Sequence, residues 1–177
     1  KGNYDKRQLV PFGEYVPFPK IFQFFADNFS IPMSNLSKGK EIQNVLQLGN
    51  NNIYPLICYE ITFPNLININ QKDSGLIINI SNDAWFGNSS APSQHLQIAQ
   101  IRALETQRYI LRSANTGISA IIDPYGNILQ KIDFDTEGTL DGTVPVSIGR
   151  TPFMDFGDYS ILMLIFIFMF LFLIKKY

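Results

Sequence analysis

At 177 residues the chain is long enough for one domain of ordinary size with a substantial core. Its formal net charge of −1, with no basic run able to track phosphates, gives no electrostatic case for nucleic acid. One cysteine and one histidine exclude an intramolecular disulfide framework and a Cys/His zinc cluster.

Residues 7–17, broken by Pro11, Gly13 and Pro17, read as a strand end running into a loop. Residues 18–28 place Phe18, Ile21, Phe22 and Phe25 at helical spacing, as a short packed helix or a membrane-facing loop. Residues 33–52 are polar and asparagine-rich, a loop with an extended piece at 44–48. A strand is expected over 53–58 and a short helix over 63–70. Residues 75–81 have the apolar density of a central strand buried on both faces, followed by a polar turn at 82–87 that carries Trp85, the single tryptophan. A helix is predicted over 93–109, where Leu96, Ala99, Ala103 and Leu104 recur at three-to-four spacing; Arg102, Glu105 and Arg108 pair along it. Strands over 110–114 and 118–122, a turn at Asp123–Asn127 and a strand over 128–132 complete an alternating pattern of the α/β class.

From Ile161 to Ile174 there is no polar residue, and Lys175 and Lys176 come directly after. Fourteen residues reach about 21 Å as a helix, short of a bilayer core of about 30 Å, but extension back to Phe153 reaches about 33 Å. A small soluble domain would keep one polar face on such a helix. The expectation is therefore a membrane helix within 151–177, with a lysine-bearing cytoplasmic tail and residues 1–150 on the other side. The start at Lys1, without methionine or secretory signal, and the early onset of motifs suggest a piece of a longer product.

Cys58 closes the apolar run Tyr54-Pro55-Leu56-Ile57 and precedes Tyr59 and Glu60. A thiol at a strand end can sit at the rim of a sheet, where the next turn aims N–H groups at a developing oxyanion. The alternative is a buried structural thiol. As a nucleophile it needs a base or a nearby cation, because an ordinary thiol is mostly protonated at neutral pH. The Tyr59 N–H is the second oxyanion donor in that reading.

Three segments bear on the choice: Tyr4-Asp5-Lys6-Arg7-Gln8-Leu9-Val10-Pro11-Phe12-Gly13-Glu14-Tyr15, Cys58-Tyr59-Glu60-Ile61 and Ser81-Asn82-Asp83-Ala84-Trp85-Phe86-Gly87. With Gln94-His95, Arg102-Ala103-Leu104-Glu105 and Arg112-Ser113-Ala114-Asn115-Thr116-Gly117, they occur in an order that resembles the apolipoprotein N-acyltransferases, a membrane-bound branch of the nitrilase superfamily. The resemblance covers about residues 4–130. It implies a partial α-β-β-α sandwich over 1–150, then a transmembrane helix in 151–177. It also implies a Glu-Lys-Cys triad in which Cys58 is the nucleophile and Lys6 the oxyanion stabiliser. Glu14 matches a second, orienting glutamate; Tyr59 and Glu60 match positions used in acyl transfer; Trp85 and Phe86 match a lipid-facing loop.

The resemblance further implies an inner-membrane enzyme, its catalytic part periplasmic, that needs no cofactor. It would move an acyl group from a phospholipid, through a Cys58 thioester, to the amine of a diacylglyceryl-cysteine apolipoprotein. The chain departs from the family in one respect, since the family's catalytic glutamate precedes the lysine motif and none of Glu14, Glu41, Glu60, Glu105 and Glu137 does. Two alternatives stay open: an inactive or half-enzyme fragment that needs an N-terminal half, and a nitrilase-like amidase.

Overall fold

The computed structural model describes residues 2–17, 36–43, 46–66 and 74–175. The segment 18–28 and residues 67–70 of the helix expected over 63–70 lie outside them. Strands β1 Leu46–Leu48, β2 Asn51–Ile57, β3 Leu76–Asn82, β4 Tyr109–Asn115, β5 Ser119–Ile122 and β6 Ile128–Ile132 form one mixed sheet in chain order. The β2–β3 and β3–β4 pairs are parallel and the outer pairs antiparallel. The β1–β2 hairpin turns on Gly49-Asn50, with Gly49 at φ 61°, a conformation that glycine takes without steric cost.

The parallel β3–β4 connection carries helix α1, Ala91–Thr106. Pro92 presets its first turn, and it stops at Gln107, whose φ of 52° turns the chain into β4; the helix expected to reach 109 therefore ends three residues earlier. Leu96, Ala99 and Ala103 press its apolar stripe onto Tyr54 and Leu56 of β2, Ile77 of β3, Ile110 of β4, and Ala120 and Ile122 of β5. That layer is the core.

The register puts Pro55, Ile57, Ile78, Ile80, Leu111 and Ile121 on the opposite face. Residues 133–151 border this face as an extended strap, with Ser147 N–H donating to Gly75 C=O at 3.0 Å and Gln130 Nε2 to Asp141 C=O at 3.2 Å. A Cβ on Gly75 would lie 2.1 Å from Val146 Cγ1, so only glycine allows that approach. Ile80 remains 56% exposed. Among the described residues there is one sheet and one helical layer against it, half of the expected sandwich.

The C-terminal segment differs from the expectation of one continuous membrane helix. It divides at Gly157 (φ 55°) into α2, Pro152–Phe156, and α3, Tyr159–Lys175. Thr151 Oγ1 caps α2 by accepting from Met154 N–H and donates to Glu105 C=O at 2.6 Å, while Met154 is buried, so α2 packs as part of the domain. Helix α3 has 17 residues, or about 25 Å. Among the described residues no helix is long and apolar enough to cross a membrane. The expected spanning helix falls short because Gly157 gives the first turn to the domain. Even so, every residue from Ile161 to Ile174 is exposed.

Candidate active site

Strand β2 delivers the chain to Cys58, the first residue of a 3-10 turn, Cys58–Thr62. Cys58 has φ 52°, a left-handed conformation costing on the order of 1–2 kcal/mol for a residue with a Cβ, and it is buried. The bend is held on both sides. Upstream, Asn79 Nδ2 donates to Leu56 C=O at 3.0 Å and Ile57 N–H donates to Glu60 Oε2 at 2.7 Å. Downstream, His95 Nε2 donates to Cys58 C=O at 3.2 Å and Thr62 Oγ1 to Tyr59 C=O at 2.7 Å.

Glu60 has no exposed surface and lies on the inner side of the turn. Its carboxylate accepts from Arg7 N–H (2.6 Å), Gln8 N–H (3.2 Å), Tyr4 Oη (2.9 Å) and Ile57 N–H (2.7 Å). It thereby staples the N-terminal segment to the Cys58 bend. Burial and then the Glu60 charge raise the Tyr4 hydroxyl well above the ordinary tyrosine range, so it stays a donor. Arg7, also buried, donates to Tyr4 Oη at 3.1 Å, to Glu41 C=O at 3.1 Å and to Tyr54 Oη.

Lys6, carried by that segment, points Nζ at both oxygens of Glu14 (2.6 and 2.7 Å), and Glu14 Oε2 also accepts from Val10 N–H at 2.9 Å. The Val10–Tyr15 loop is closed by Phe12 N–H to Tyr15 C=O at 2.8 Å. It presses Gly13 against Trp85 so closely that a Cβ there would lie 2.4 Å from the indole. The lysine loop and the tryptophan loop are therefore in contact.

Cys58 opens into a cleft of about 380 Å³, mostly apolar in lining. Tyr59, Trp85, Phe86 and His95 share it with the cysteine, and Val10, Thr62, Ala91, Gln94 and Ile98 complete it. Trp85 is 54% exposed, and the Phe86 ring meets His95 edge-on at 6.2 Å. Lys6, Glu14 and Glu60 are not in its wall.

Beneath the cleft lies a buried polar cluster. Asp83 Oδ1 accepts from Ser81 Oγ at 2.6 Å and faces His95 Nδ1 at 3.1 Å; Asp83 Oδ2 accepts from Arg112 Nη2 at 2.7 Å. Arg112 also donates to Ile118 C=O at 3.1 Å and to Asn79 Oδ1. Burial pushes the Asp83 carboxyl up, but its contact with His95, the bond from Ser81 and the Arg112 charge outweigh it and hold it below the ordinary carboxylate range. Burial lowers Arg112 despite its acidic partner. A Cβ at Gly117 would lie 2.4 Å from Asp83 Oδ2, so glycine lets the β4–β5 turn close over this cluster. Among the described residues, no group of three or more His, Cys, Asp and Glu side chains is arranged for a metal.

The structure thus brings together Cys58, Tyr59, Trp85 and Phe86, sets the Lys6–Glu14 pair on the adjoining loop, and puts Glu60 behind the bend. Sequence reasoning gives Asp83, Arg112 and Asn79 no role in the site. The available signal is Asn79 and Ser81, which interrupt the apolar run of β3 on one face, with Asp83 in the same phase just past its end. Arg108, expected to pair along the helix, instead donates to Ser74 C=O at 2.8 Å and to Gly149 C=O, anchoring the strap.

The model of the carbon-nitrogen hydrolase family matches residues 1–153. The apolipoprotein N-acyltransferase of Nitrosomonas europaea is 44% identical over 163 residues, 92% of this chain and 33% of the relative. That of Azotobacter vinelandii is 42% identical over 153 residues, 86% of this chain and 30% of the relative. The chain spans about a third of the length of the curated relatives it matches. Among solved structures, Saccharomyces cerevisiae Nit3, of branch 10 of the nitrilase superfamily, superposes with a TM-score of 0.50 at 23% identity, covering 58% of this chain and 40% of that one. An amidase from Nesterenkonia sp. gives 0.50 at 19% identity, covering 75% and 46%. These likenesses identify the fold as the nitrilase-type α/β fold with a mixed sheet.

Proposed function

Because the chain belongs to the carbon-nitrogen hydrolase family, we propose that it carries the nucleophile of a membrane-associated N-acyltransferase of lipoprotein maturation. The observation that carries this reading is an apolar cleft ending on a cysteine held at a left-handed bend, in a chain 44% identical to an apolipoprotein N-acyltransferase. The Cys58 sulfur attacks an ester carbonyl of a phospholipid. The thiol proton passes through a base to the departing lysophospholipid oxygen, leaving an acyl thioester. The N-terminal amine of a diacylglyceryl-cysteine polypeptide then attacks the thioester and releases the thiol.

In this reading Lys6 stabilises the oxyanion together with the Tyr59 N–H, and Glu14 orients Lys6 through the two-oxygen contact. Glu60 positions both halves of the site by holding the lysine segment to the cysteine turn. Trp85 and Phe86 receive the acyl chain at the mouth. The resemblance assigns the base to a glutamate that precedes the lysine motif, as an N-terminal half would supply; Glu14 and Glu60 are engaged with other partners. Helix α3 associates with the inner membrane, and the family resemblance implies a cleft on the periplasmic side. The exposed, wholly apolar surface of residues 161–174 supports the membrane association.

The test is the intact mass of the chain after incubation with phospholipid, beside Cys58→Ser. A hydroxylamine-labile acyl adduct on the native chain alone is the expected result. If an N-terminal half must be added before the adduct forms, the half-enzyme arrangement holds. Absence of any adduct with that half present refutes the acyltransferase reading.

A further inference from the structure

The buried cluster under the cleft forms a closed ring around the nucleophile. Starting at Leu56 C=O, it passes through Asn79 Nδ2 (3.0 Å), from Asn79 Oδ1 to Arg112 Nη1, and from Arg112 Nη2 to Asp83 Oδ2 (2.7 Å). It continues from Asp83 Oδ1 to His95 Nδ1 (3.1 Å) and ends with His95 Nε2 on Cys58 C=O (3.2 Å). The two carbonyls it grips belong to residues two apart, on either side of the bend. His95 Nδ1 also lies 3.2 Å from Arg112 Nη2. Whether Nδ1 donates to Asp83 or accepts from Arg112, Nε2 must carry a proton, because a carbonyl only accepts.

We propose that His95, held by Asp83 and Arg112, is a positioning residue that aims and polarises the Tyr59 N–H as an oxyanion donor, acting through the Cys58 carbonyl. The Cys58–Tyr59 peptide is trans, so its C=O and N–H point in opposite directions. Fixing the carbonyl on His95 fixes the N–H at the opposite edge of the same planar peptide, beside the Cys58 sulfur. A hydrogen bond accepted at C=O also strengthens the donor at the other end of the same amide. Among the described residues, nothing outside its own 3-10 turn accepts from the Tyr59 N–H. Burial makes the arrangement stiff: His95 is 6% exposed, Arg112 3%, and Asp83 and Asn79 not at all. An oxyanion donor acts by being aimed before the charge develops, and this ring supplies that aim.

The inference rests on Cys58 being the acyl-carrying nucleophile. Its test uses two reagents on the chain, with the N-terminal half added if acylation requires it. A p-nitrophenyl fatty ester acylates sulfur through a tetrahedral oxyanion. Iodoacetamide alkylates the same sulfur by direct displacement, without one. His95→Gln keeps an N–H of similar reach, and His95→Met keeps length without a donor.

The expected result is ester acylation slowed roughly 10- to 100-fold by His95→Met, restored to within about threefold by His95→Gln, with iodoacetamide rates alike in all three. Parallel loss of both reactions in a folded His95→Met chain, or equal acylation by the two variants, overturns the proposal. If His95→Met alkylates at the rate of the urea-unfolded chain, the glutamine variant decides alone. Acylation within about threefold of native supports the proposal, and a loss of tenfold or more at native alkylation rate refutes it. Ester acylation that survives Cys58→Ala is a different failure, because it removes the nucleophile assignment itself.

Discussion

Replacing Glu60 by glutamine separates a carboxylate that holds the site together from one that takes part in the chemistry. The native carboxylate accepts four hydrogen bonds with no exposed surface, two on each oxygen. An amide offers one oxygen and one NH₂. The oxygen will face the Arg7 and Gln8 N–H groups, because on the other side the Tyr4 hydroxyl can rotate and accept from the NH₂. Ile57 N–H, which cannot rotate, is then left facing a donor. An orphaned buried donor costs about 1–3 kcal/mol, and the remaining bonds lose their charge assistance, so the sum is about 3 kcal/mol. Glu60→Ala orphans three backbone N–H groups and should cost about 5 kcal/mol, while Tyr4→Phe, which removes one donor to Glu60 and the acceptor of Arg7 Nε, should cost about 2 kcal/mol. Urea unfolding of the detergent-solubilised chain, monitored by circular dichroism, reads all three. A Glu60→Gln chain within about 0.5 kcal/mol of native that nonetheless fails to acylate would refute this reasoning and return Glu60 to the reacting groups.

Asp83 predicts an acid limit. Its folded carboxyl titrates below the unfolded value of about 3.9, so the stability it contributes is complete above about pH 5. That stability is lost as pH falls below 4 through the folded value, and Asp83→Asn should flatten this part of the acid unfolding curve. Gly117→Ala drives a methyl into the same carboxylate and should destabilise by about 1–3 kcal/mol in the same urea assay. Gly13→Ala meets a half-exposed indole that can move aside, so stability should change by less than about 1 kcal/mol, yet the emission of the single tryptophan should shift. An unchanged spectrum would mean the two loops are not in contact. Truncation after Gly157 should release the chain from carbonate-washed membranes, and retention would refute the role given to α3.

The strands are legible in the sequence because their apolar runs are short, β-branched and bounded by Gly, Asn and Asp; the strand expected over 128–132 matches β6 to the residue. The β1–β2 hairpin reads as an asparagine-rich loop, although Gly49-Asn50 between Leu48 and Asn51 carries a two-residue turn signal. The end of α1 escapes sequence reasoning because Gln107 takes the left-handed terminating position without the glycine that usually marks it. Cys58, Lys6 and Trp85 are visible through their motifs. The ring of Asn79, Asp83, His95 and Arg112 is not, because its members come from two strands, a turn and a helix that only the parallel crossover brings together. Similarly, no local pattern announces that Glu60 binds the backbone 53 residues upstream.

That long-range staple has a consequence for how the chain can vary. Closing a loop of n residues costs entropy that grows only as the logarithm of n, about 0.6 kcal/mol for each doubling. The Glu60 contact to Arg7 is worth several times that. Exposed positions between its two ends that lie outside the Val10–Tyr15 loop and β2, such as Ile42, can therefore change without displacing the lysine from the cysteine turn. Such positions can drift under selection, while the reacting geometry stays fixed by a knot of four hydrogen bonds that they do not enter.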